Sequence, residues 1–112
     1  MAGLACGEVS LLAWDILREG ADAFAAVNDQ AAIDCMRLLA EAPYRDVRVV
    51  AGESAVAGLA ALIGAAAQTK LRRSLALGAD SRVLLIGTEG DTDPELYRRI
   101  VGKTAAEVRA RI

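Results

Sequence analysis

The segment "SRVLLIG", residues 81–87, most constrains what this chain can fold into. Its apolar residues follow one another without a break, which is typical of a strand covered on both faces, as in the middle of a parallel sheet. A helical pattern begins shortly afterwards, at Pro94. A buried strand followed at once by a helix predicts an α/β fold.

Two weaker apolar runs accompany this segment. "DAFAAV", residues 22–27, reads as a short buried strand, and "VRVV", residues 47–50, is too short to assign securely. Helical patterns separate them, the longest running from Gly52 to about Gln68 and continuing as "KLRRSLAL" to Gly78. Because two or three strands are fewer than the about five or six of an ordinary sheet, we expect helices packed on a small, mostly parallel and incomplete sheet.

Several residues are of the types that begin and end helices. Asp93-Pro94 is suited to open a helix, since proline is tolerated at the first helical position. The pairs Thr92–Glu95 and Thr104–Glu107 both have the spacing of a capping box. Further predicted signals are Ser10 and Asn28 or Asp29 as N-caps, and Gly20, Pro43 and Gly102 as helix ends.

Length, charge and composition exclude several classes of protein. The 112 residues suit one domain, residues 1–112, and a net charge of −2 without a basic block gives no support for nucleic-acid binding. The least charged stretch, residues 54–69, falls short of the about 20 apolar residues that span a bilayer, so no membrane segment is expected. The N-terminus lacks the pattern of a signal peptide. Two cysteines outside any metal-like spacing, and no histidine, indicate a cytoplasmic protein with free thiols.

The loop "GTEGDTD", residues 87–93, follows the clearest strand, where ligands bind in open α/β sheets. Gly87 and Gly90 allow a close approach of the backbone or a positive φ, and Thr88 supplies a hydroxyl that can donate or accept. The three acidic side chains of the loop argue against phosphate binding. A plain connecting loop explains the same residues.

A second polar point is "AGESA", residues 51–55. Glu53 and Ser54 stand at the predicted start of the long apolar helix, where capping and the helix dipole explain both residues without any function. Lys70 and Lys103 are the only lysines. Neither has the apolar surroundings that lower a lysine pKa for covalent catalysis, so no catalytic residue is predicted.

Four segments in order give the chain a family resemblance. They are "MAGLACGE" at residues 1–8, W-x-I-L-R-x-G-A-D-A-F at residues 14–24, "GES" at residues 52–54 and "TEGDTDPELYRRIVG" at residues 88–102. Together they resemble the diaminopropionate ammonia-lyases, of the fold-type II pyridoxal-phosphate family. "TEGDTDP" is the most specific segment, and the matches extend over nearly the whole chain.

The resemblance implies that the chain is the C-terminal portion of the large domain of a longer enzyme. The parent reaction would be α,β-elimination of 2,3-diaminopropionate to pyruvate and ammonia, with pyridoxal phosphate as cofactor. In the family the Schiff-base lysine, the phosphate-binding loop and the acid/base residues lie upstream, which implies that the isolated chain is inactive.

The same resemblance implies that Gly87, Thr88 and Glu53 are cofactor-binding residues beside the pyridine ring. Relatives place a Ser or Thr hydroxyl on the ring nitrogen at this strand end. This chain has Gly87 where the family pattern has Ser, so either Thr88 takes over the hydroxyl contact or the contact is lost. The chain also has Ala55 where the pattern has Gly.

Three alternatives remain open from the sequence. The chain is the C-terminal portion of the lyase, a noncatalytic remnant that binds or oligomerises, or one half of a split enzyme completed by a separate N-terminal portion. The expected partners are an amino acid substrate in the complete enzyme and either a second copy, as a homodimer, or the missing portion.

Overall fold

The computed structural model describes residues 1–110, and the chain there is helical. Within these residues a short 3₁₀ helix, Ala2–Leu4, precedes six α-helices. These are α1 (Leu11–Gly20), α2 (Asp29–Glu41), α3 (Ala57–Ala67), α4 (Thr69–Ser74), α5 (Pro94–Val101) and α6 (Ala105–Arg109).

The core lies where α2 packs against α3 and α5, with α6 beside α5. Tyr97 is the one aromatic residue among its buried members, and α2 contributes a stripe of small and flexible side chains. On α2 the residues that face this core are Ala32, Cys35, Met36 and Ala40, and Leu39 packs against it partly buried. The buried residues of the cluster are Ala32, Cys35, Met36, Ala40, Ala51, Val56, Ala60, Tyr97, Ala105 and Val108.

Most of the predicted helix ends are confirmed. The side chains of Ser10 and Asn28 accept hydrogen bonds from backbone N–H groups three residues on, at 3.3 and 2.8 Å. Thr104 and Glu107 form a complete capping box at the start of α6. Gly102 ends α5 with a φ of 81°, in the left-handed region that suits glycine.

The predicted opening of α5 at Asp93-Pro94 is confirmed, whereas the predicted Thr92–Glu95 capping box and the predicted start of the long apolar helix are wrong. At α5 the N-cap is Asp93, whose carboxylate accepts from the N–H of Leu96 at 3.0 Å, in place of the Thr92–Glu95 capping box. The long apolar helix begins at Ala57 and not at Gly52, since residues 53–56 form turns. Long-range hydrogen bonds to Glu89 hold these turns, and they involve backbone N–H groups that the predicted helix would have contained.

The predicted sheet is not formed within residues 1–110. The runs 22–27, 47–50 and 81–87 are not helical, but none of them belongs to a strand. The N–H of Val49 donates instead to the carbonyl oxygen of Leu39 in α2, at 3.0 Å. A strand requires a ladder of hydrogen bonds to a neighbour, and none of the three runs has such a neighbour in this part of the chain.

Apolar side chains are correspondingly exposed outside the core. Helix α1 buries none of its residues, and its Trp14 ring meets Phe24 with centroids 6.3 Å apart. The molecule measures 42 × 36 × 21 Å, with a radius of gyration of 15.4 Å. A compact domain of this length has a radius of gyration of about 13 Å. The described part of the chain is therefore flatter and less compact than such a domain, with one modest core. None of the helices within residues 1–110 combines the length and the apolar character needed to cross a membrane.

Candidate functional site

Two loops that the sequence separates by more than thirty residues meet in the structure. The N–H of Gly52 donates to the carbonyl oxygen of Glu89 at 2.9 Å. The N–H of Ser54 donates to the Glu89 carboxylate at 3.3 Å. One acidic residue after the predicted strand therefore anchors the turn before α3.

Gly52 is required where these loops meet. A Cβ at this position would lie 2.5 Å from the carbonyl oxygen of Gly90 and would also collide with the Glu89 carboxylate. Gly52 itself is buried. Because backbone atoms cannot swing aside as a flexible side chain can, only glycine allows the two loops to approach this closely.

A cavity of about 110 Å³ lies between the meeting loops and α5. Carboxylates surround much of it, and Met36 and Tyr97 supply apolar surface from the core. Its lining residues are Met36, Gly52, Glu53, Glu89, Gly90, Asp91, Thr92, Asp93, Leu96, Tyr97 and Ile100. Arg109 pairs with Asp91 at 3.4 Å. The acidic lining suits a ligand group that is neutral, cationic or a hydrogen-bond donor, and it disfavours an anionic group.

Two hydroxyl groups beside the loops are buried without a hydrogen-bond partner among residues 1–110. They belong to Ser54 and to Tyr97, a residue that is only 2% exposed. Burial raises the pKa of the Tyr97 phenol, with Asp91 adding to the increase and Arg109 opposing it. The phenol is therefore neutral and able to donate at physiological pH.

A second cavity, of about 280 Å³, lies on the other side of Glu89 and is mostly apolar. Gly87 and Ala55 both line it and lie close together. A Cβ at position 87 would lie 3.1 Å from the carbonyl oxygen and 3.4 Å from the Cβ of Ala55. The tighter of these contacts is with the backbone of residue 55, so a side chain at position 87 would crowd that backbone whatever residue stands at 55.

The structure places two of the three predicted site residues at cavities that have Glu89 in common. Glu53 lines the acidic cavity and Gly87 the apolar one. Thr88 is exposed and is among the lining residues of neither cavity. Ala55 has no positive φ, so the backbone there does not require the glycine of the family pattern. The positive φ predicted as one option for Gly87 and Gly90 is not observed, whereas the close approach is observed at Gly87.

Sequence reasoning missed the central position of Glu89. In the sequence it is one of three loop acids, whereas in the structure its carbonyl oxygen and its carboxylate both accept hydrogen bonds from the opposite loop. The only sequence signal was a glycine on each side of the contact, at Gly52 and Gly90. Two glycines do not indicate that Glu89 is the residue that joins the loops. Tyr97 was likewise read only as part of a helical pattern.

Neither lysine approaches the meeting loops. Lys70 lies in α4 and Lys103 in the turn between α5 and α6, and neither lines the two cavities. Within the part of the chain that the structure describes, no group of three or more carboxylate or thiol side chains is placed to hold a metal ion.

Comparison with known proteins gives one consistent result. The chain is 43% identical over 104 residues to diaminopropionate ammonia-lyase of Escherichia coli K12, and 40% identical over 105 residues to that of Salmonella typhimurium. The crystal structure of the Escherichia coli enzyme in complex with D-serine matches 94% of this chain with a TM-score of 0.81 and 45% identity. The chain is similar to diaminopropionate ammonia-lyase.

The similarity covers nearly all of this chain but a small part of the relatives. The match spans 90% of this chain and 26% of the curated enzymes, and 28% of the chain in the solved structure. No family model matches the sequence. The resemblance read from the four sequence segments is thus confirmed for the lyase, and the chain corresponds to about a quarter of it.

Proposed function

We propose that this chain is the C-terminal portion, a single unit of residues 1–112, of a pyridoxal-phosphate-dependent diaminopropionate ammonia-lyase of fold type II. The observation that carries the proposal is the structural match, with 45% identity and a TM-score of 0.81 over 94% of the chain. In the complete enzyme its helices would pack on a mostly parallel sheet. The complete enzyme would convert 2,3-diaminopropionate to pyruvate and ammonia by α,β-elimination.

The residues present fit the ring side of the cofactor and not its phosphate or its covalent attachment. Carboxylates line the cavity between the loops, where a phosphate would be repelled. Both lysines lie away from the cavities. The portion of the enzyme upstream of this chain would therefore supply the lysine and the phosphate-binding loop, and pyridoxal phosphate would supply the electron sink for elimination.

This chain would form the wall behind the ring. Gly87 brings backbone close to the second cavity without a side chain, and the exposed Thr88 hydroxyl is free to turn toward a ring nitrogen. Glu53 would add negative charge nearby, in the loop that Glu89 holds in place. The close approach of Gly87 to the backbone of Ala55 supports Thr88 as the source of the hydroxyl, because a serine at 87 would crowd the Ala55 carbonyl oxygen.

A chimeric enzyme tests the proposal. The matching quarter of the Escherichia coli lyase is replaced by this chain, and pyruvate release from 2,3-diaminopropionate is measured with pyridoxal phosphate present. We expect the chimera to be active and the 112-residue chain alone to be inactive. A folded chimera that binds the cofactor and makes no pyruvate would contradict the proposal.

The proposed role of Thr88 is tested in the same chimera. Thr88→Val keeps the shape and removes the hydroxyl, and we expect kcat to fall roughly two- to tenfold, as for loss of one hydrogen bond of about 0.5–1.5 kcal/mol. Thr69→Val, at an exposed threonine of α4 that lines neither cavity, is the control and should leave kcat unchanged. Equal rates for both variants would remove Thr88 from the site.

A noncatalytic module that self-associates is the second candidate. The observation that favours it is the exposed apolar surface, including Leu11 at 80% and Leu84 at 85% exposure. Size-exclusion chromatography with light scattering distinguishes the two, since a monomer at all concentrations excludes self-association. In either case we propose the cytoplasm as its location, where Cys6 and Cys35 stay reduced.

A further inference from the structure

The N-terminal segment, residues 1–8, lies against the candidate site. Its 3₁₀ turn, Ala2–Leu4, packs on the loop that precedes α3. A Cβ built on Gly3 would be 2.8 Å from the Ser54 Oγ, 3.2 Å from the Ser54 Cβ and 3.6 Å from a carboxylate oxygen of Glu89. The turn is therefore a third support, beside the two loops that Glu89 joins.

The same turn also reaches Glu53. The α-ammonium nitrogen of Met1 lies 3.4 Å from a Glu53 carboxylate oxygen and 3.4 Å from one of Asp29. In a longer polypeptide this nitrogen would belong to a peptide bond and carry no charge. The contact at Gly3 involves no terminal group, so it does not depend on that charge.

Gly3 is needed for space and not for its backbone conformation. Its φ is not positive, so a residue with a side chain could adopt the same backbone. The obstacle is Ser54. Rotation of its side chain would move the hydroxyl oxygen away from a new Cβ, but the Ser54 Cβ is fixed to the backbone. The contact at 3.2 Å is therefore relieved only when one of the two backbones shifts.

Gly7 provides a contrast within the same segment. A Cβ built on Gly7 has nothing within 4 Å, whereas one built on Gly3 meets two residues of the candidate site. The close contact is therefore a property of position 3, and the presence of a glycine in this segment does not by itself indicate it.

Ser54 connects the turn to the rest of the site. Its N–H donates to the Glu89 carboxylate at 3.3 Å, and its neighbour Glu53 lines the acidic cavity. The Ser54 hydroxyl is buried and has no hydrogen-bond partner among residues 1–110. Packing against Gly3, and not a hydrogen bond of the hydroxyl, therefore locates this side chain.

We propose that Gly3 is a positioning residue for the elimination reaction. Because it carries no side chain, the turn Ala2–Leu4 holds Ser54 in place, and through Ser54 it holds the carboxylate of Glu53 on the ring side of the cofactor. This inference rests on the proposed function and adds a residue to it. Gly3 lines neither cavity and acts only through Ser54. Misplacing a group by about 1 Å can reduce a rate by about a hundredfold, so a shift of this loop should lower kcat.

The contact is tested in the 112-residue chain without cofactor. Hydrogen exchange of single amides is followed by NMR spectroscopy in the parent and in Gly3→Ala. We expect the Ser54 amide to exchange at least about tenfold faster in Gly3→Ala, because its bond to Glu89 is weakened, while the amides of α2 keep their rates. Gly7→Ala is the matched control and should leave the Ser54 rate unchanged.

The effect on catalysis is tested in the chimeric enzyme that contains this chain. We expect Gly3→Ala to lower kcat for pyruvate release about tenfold or more and to change KM less than about twofold, since the upstream portion would bind the substrate. Gly7→Ala should keep both constants. A loss confined to KM would contradict a positioning role.

A second substitution shows whether Gly3 acts through Ser54. Ser54→Gly removes the two atoms that a Cβ at position 3 would meet most closely. In a Ser54→Gly chimera, Gly3→Ala should therefore change kcat by less than about twofold. A loss as large as in the parent chimera would overturn the inference.

Two further outcomes would also overturn it. One is an unchanged Ser54 exchange rate in Gly3→Ala, and the other is a loss of protection that extends to α2, which would make the effect global. An inactive parent chimera contradicts the proposed function alone. The exchange rate of the Ser54 amide then still decides whether Gly3 holds this loop in place.

Discussion

The packed helices and the segment of residues 82–88 are both apolar, but the side chains of the first are buried and those of the second are largely exposed. In the core, Cys35, Met36 and Tyr97 are each less than 5% exposed, because α2, α3 and α5 supply surfaces to one another. In the segment, Leu84 and Ile86 are more than 75% exposed. The difference shows that apolar sequence alone does not bury a residue, since burial also requires a neighbouring element.

The largest contrast in stability should come from truncating one side chain of each region. Met36→Ala removes buried atoms from the core and should lower the free energy of unfolding by about 2–5 kcal/mol. Leu84→Ala, at an exposed position, should change it by less than about 0.5 kcal/mol. Urea unfolding followed by circular dichroism measures both, and similar losses would show that the two regions form one core.

The loop contact between Gly52 and Glu89 gives the next largest effect. Gly52→Ala places a Cβ 2.5 Å from the Gly90 carbonyl oxygen, and the resulting displacement of backbone should cost about 1–3 kcal/mol. Gly7→Ala is the control, since a Cβ there has nothing within 4 Å. The same urea experiment compares them. An unchanged midpoint for Gly52→Ala would mean that the loops do not meet in solution.

Removing a helix N-cap should have a smaller effect on stability, and the effect should differ between α6 and α1. Thr104→Ala removes the capping box of α6, a helix that buries Val108, and should cost about 1 kcal/mol. Ser10→Ala removes the cap of α1, which buries no residue, and should leave the global unfolding midpoint unchanged. Equal losses would show that α1 belongs to the cooperative unit.

Replacement of a cysteine should have the smallest effect on stability, visible only as a change in its pH dependence. Burial, reinforced by Asp34, raises the pKa of the Cys35 thiol. The unfolded thiol therefore ionises first, so its contribution to stability is complete below the unfolded pKa of about 8.5 and is lost as pH rises through the folded pKa. Unfolding midpoints across roughly pH 7.5 to 9.5 should fall more for the parent than for Cys35→Ala. Cys6→Ala, at an exposed free thiol, should keep the slope of the parent.

Sequence reasoning succeeded where the determining interaction was local. Ser10, Asn28 and Thr104 were predicted as caps because a cap is closed by backbone three residues away, within reach of a short motif. It failed for the start of α3, because that start depends on Glu89, far along the chain. It also predicted a sheet that is absent from residues 1–110, because strand pairing depends on residues distant in sequence.

For the candidate site, the sequence indicated the two loops but not the residue that joins them. Glu53 and Gly87 come to lie at cavities on either side of Glu89. The cofactor-binding roles of Gly87, Thr88 and Glu53 stay predictions. The geometry adds one relation that spacing could not reveal, namely that Gly87 packs closely against the backbone of Ala55.

The unpaired backbone groups of residues 82–88 have a consequence for how such a polypeptide is produced in a cell. Residues 83–88 are uncharged, and no neighbouring strand pairs with their peptide groups within residues 1–110. Such a stretch is a template for stacking against identical stretches, the first step toward fibrils. A cell that synthesised these 112 residues apart from a covering strand would need chaperones to shield them or proteases to clear them. Solubility on heterologous production should accordingly depend on what is translated alongside.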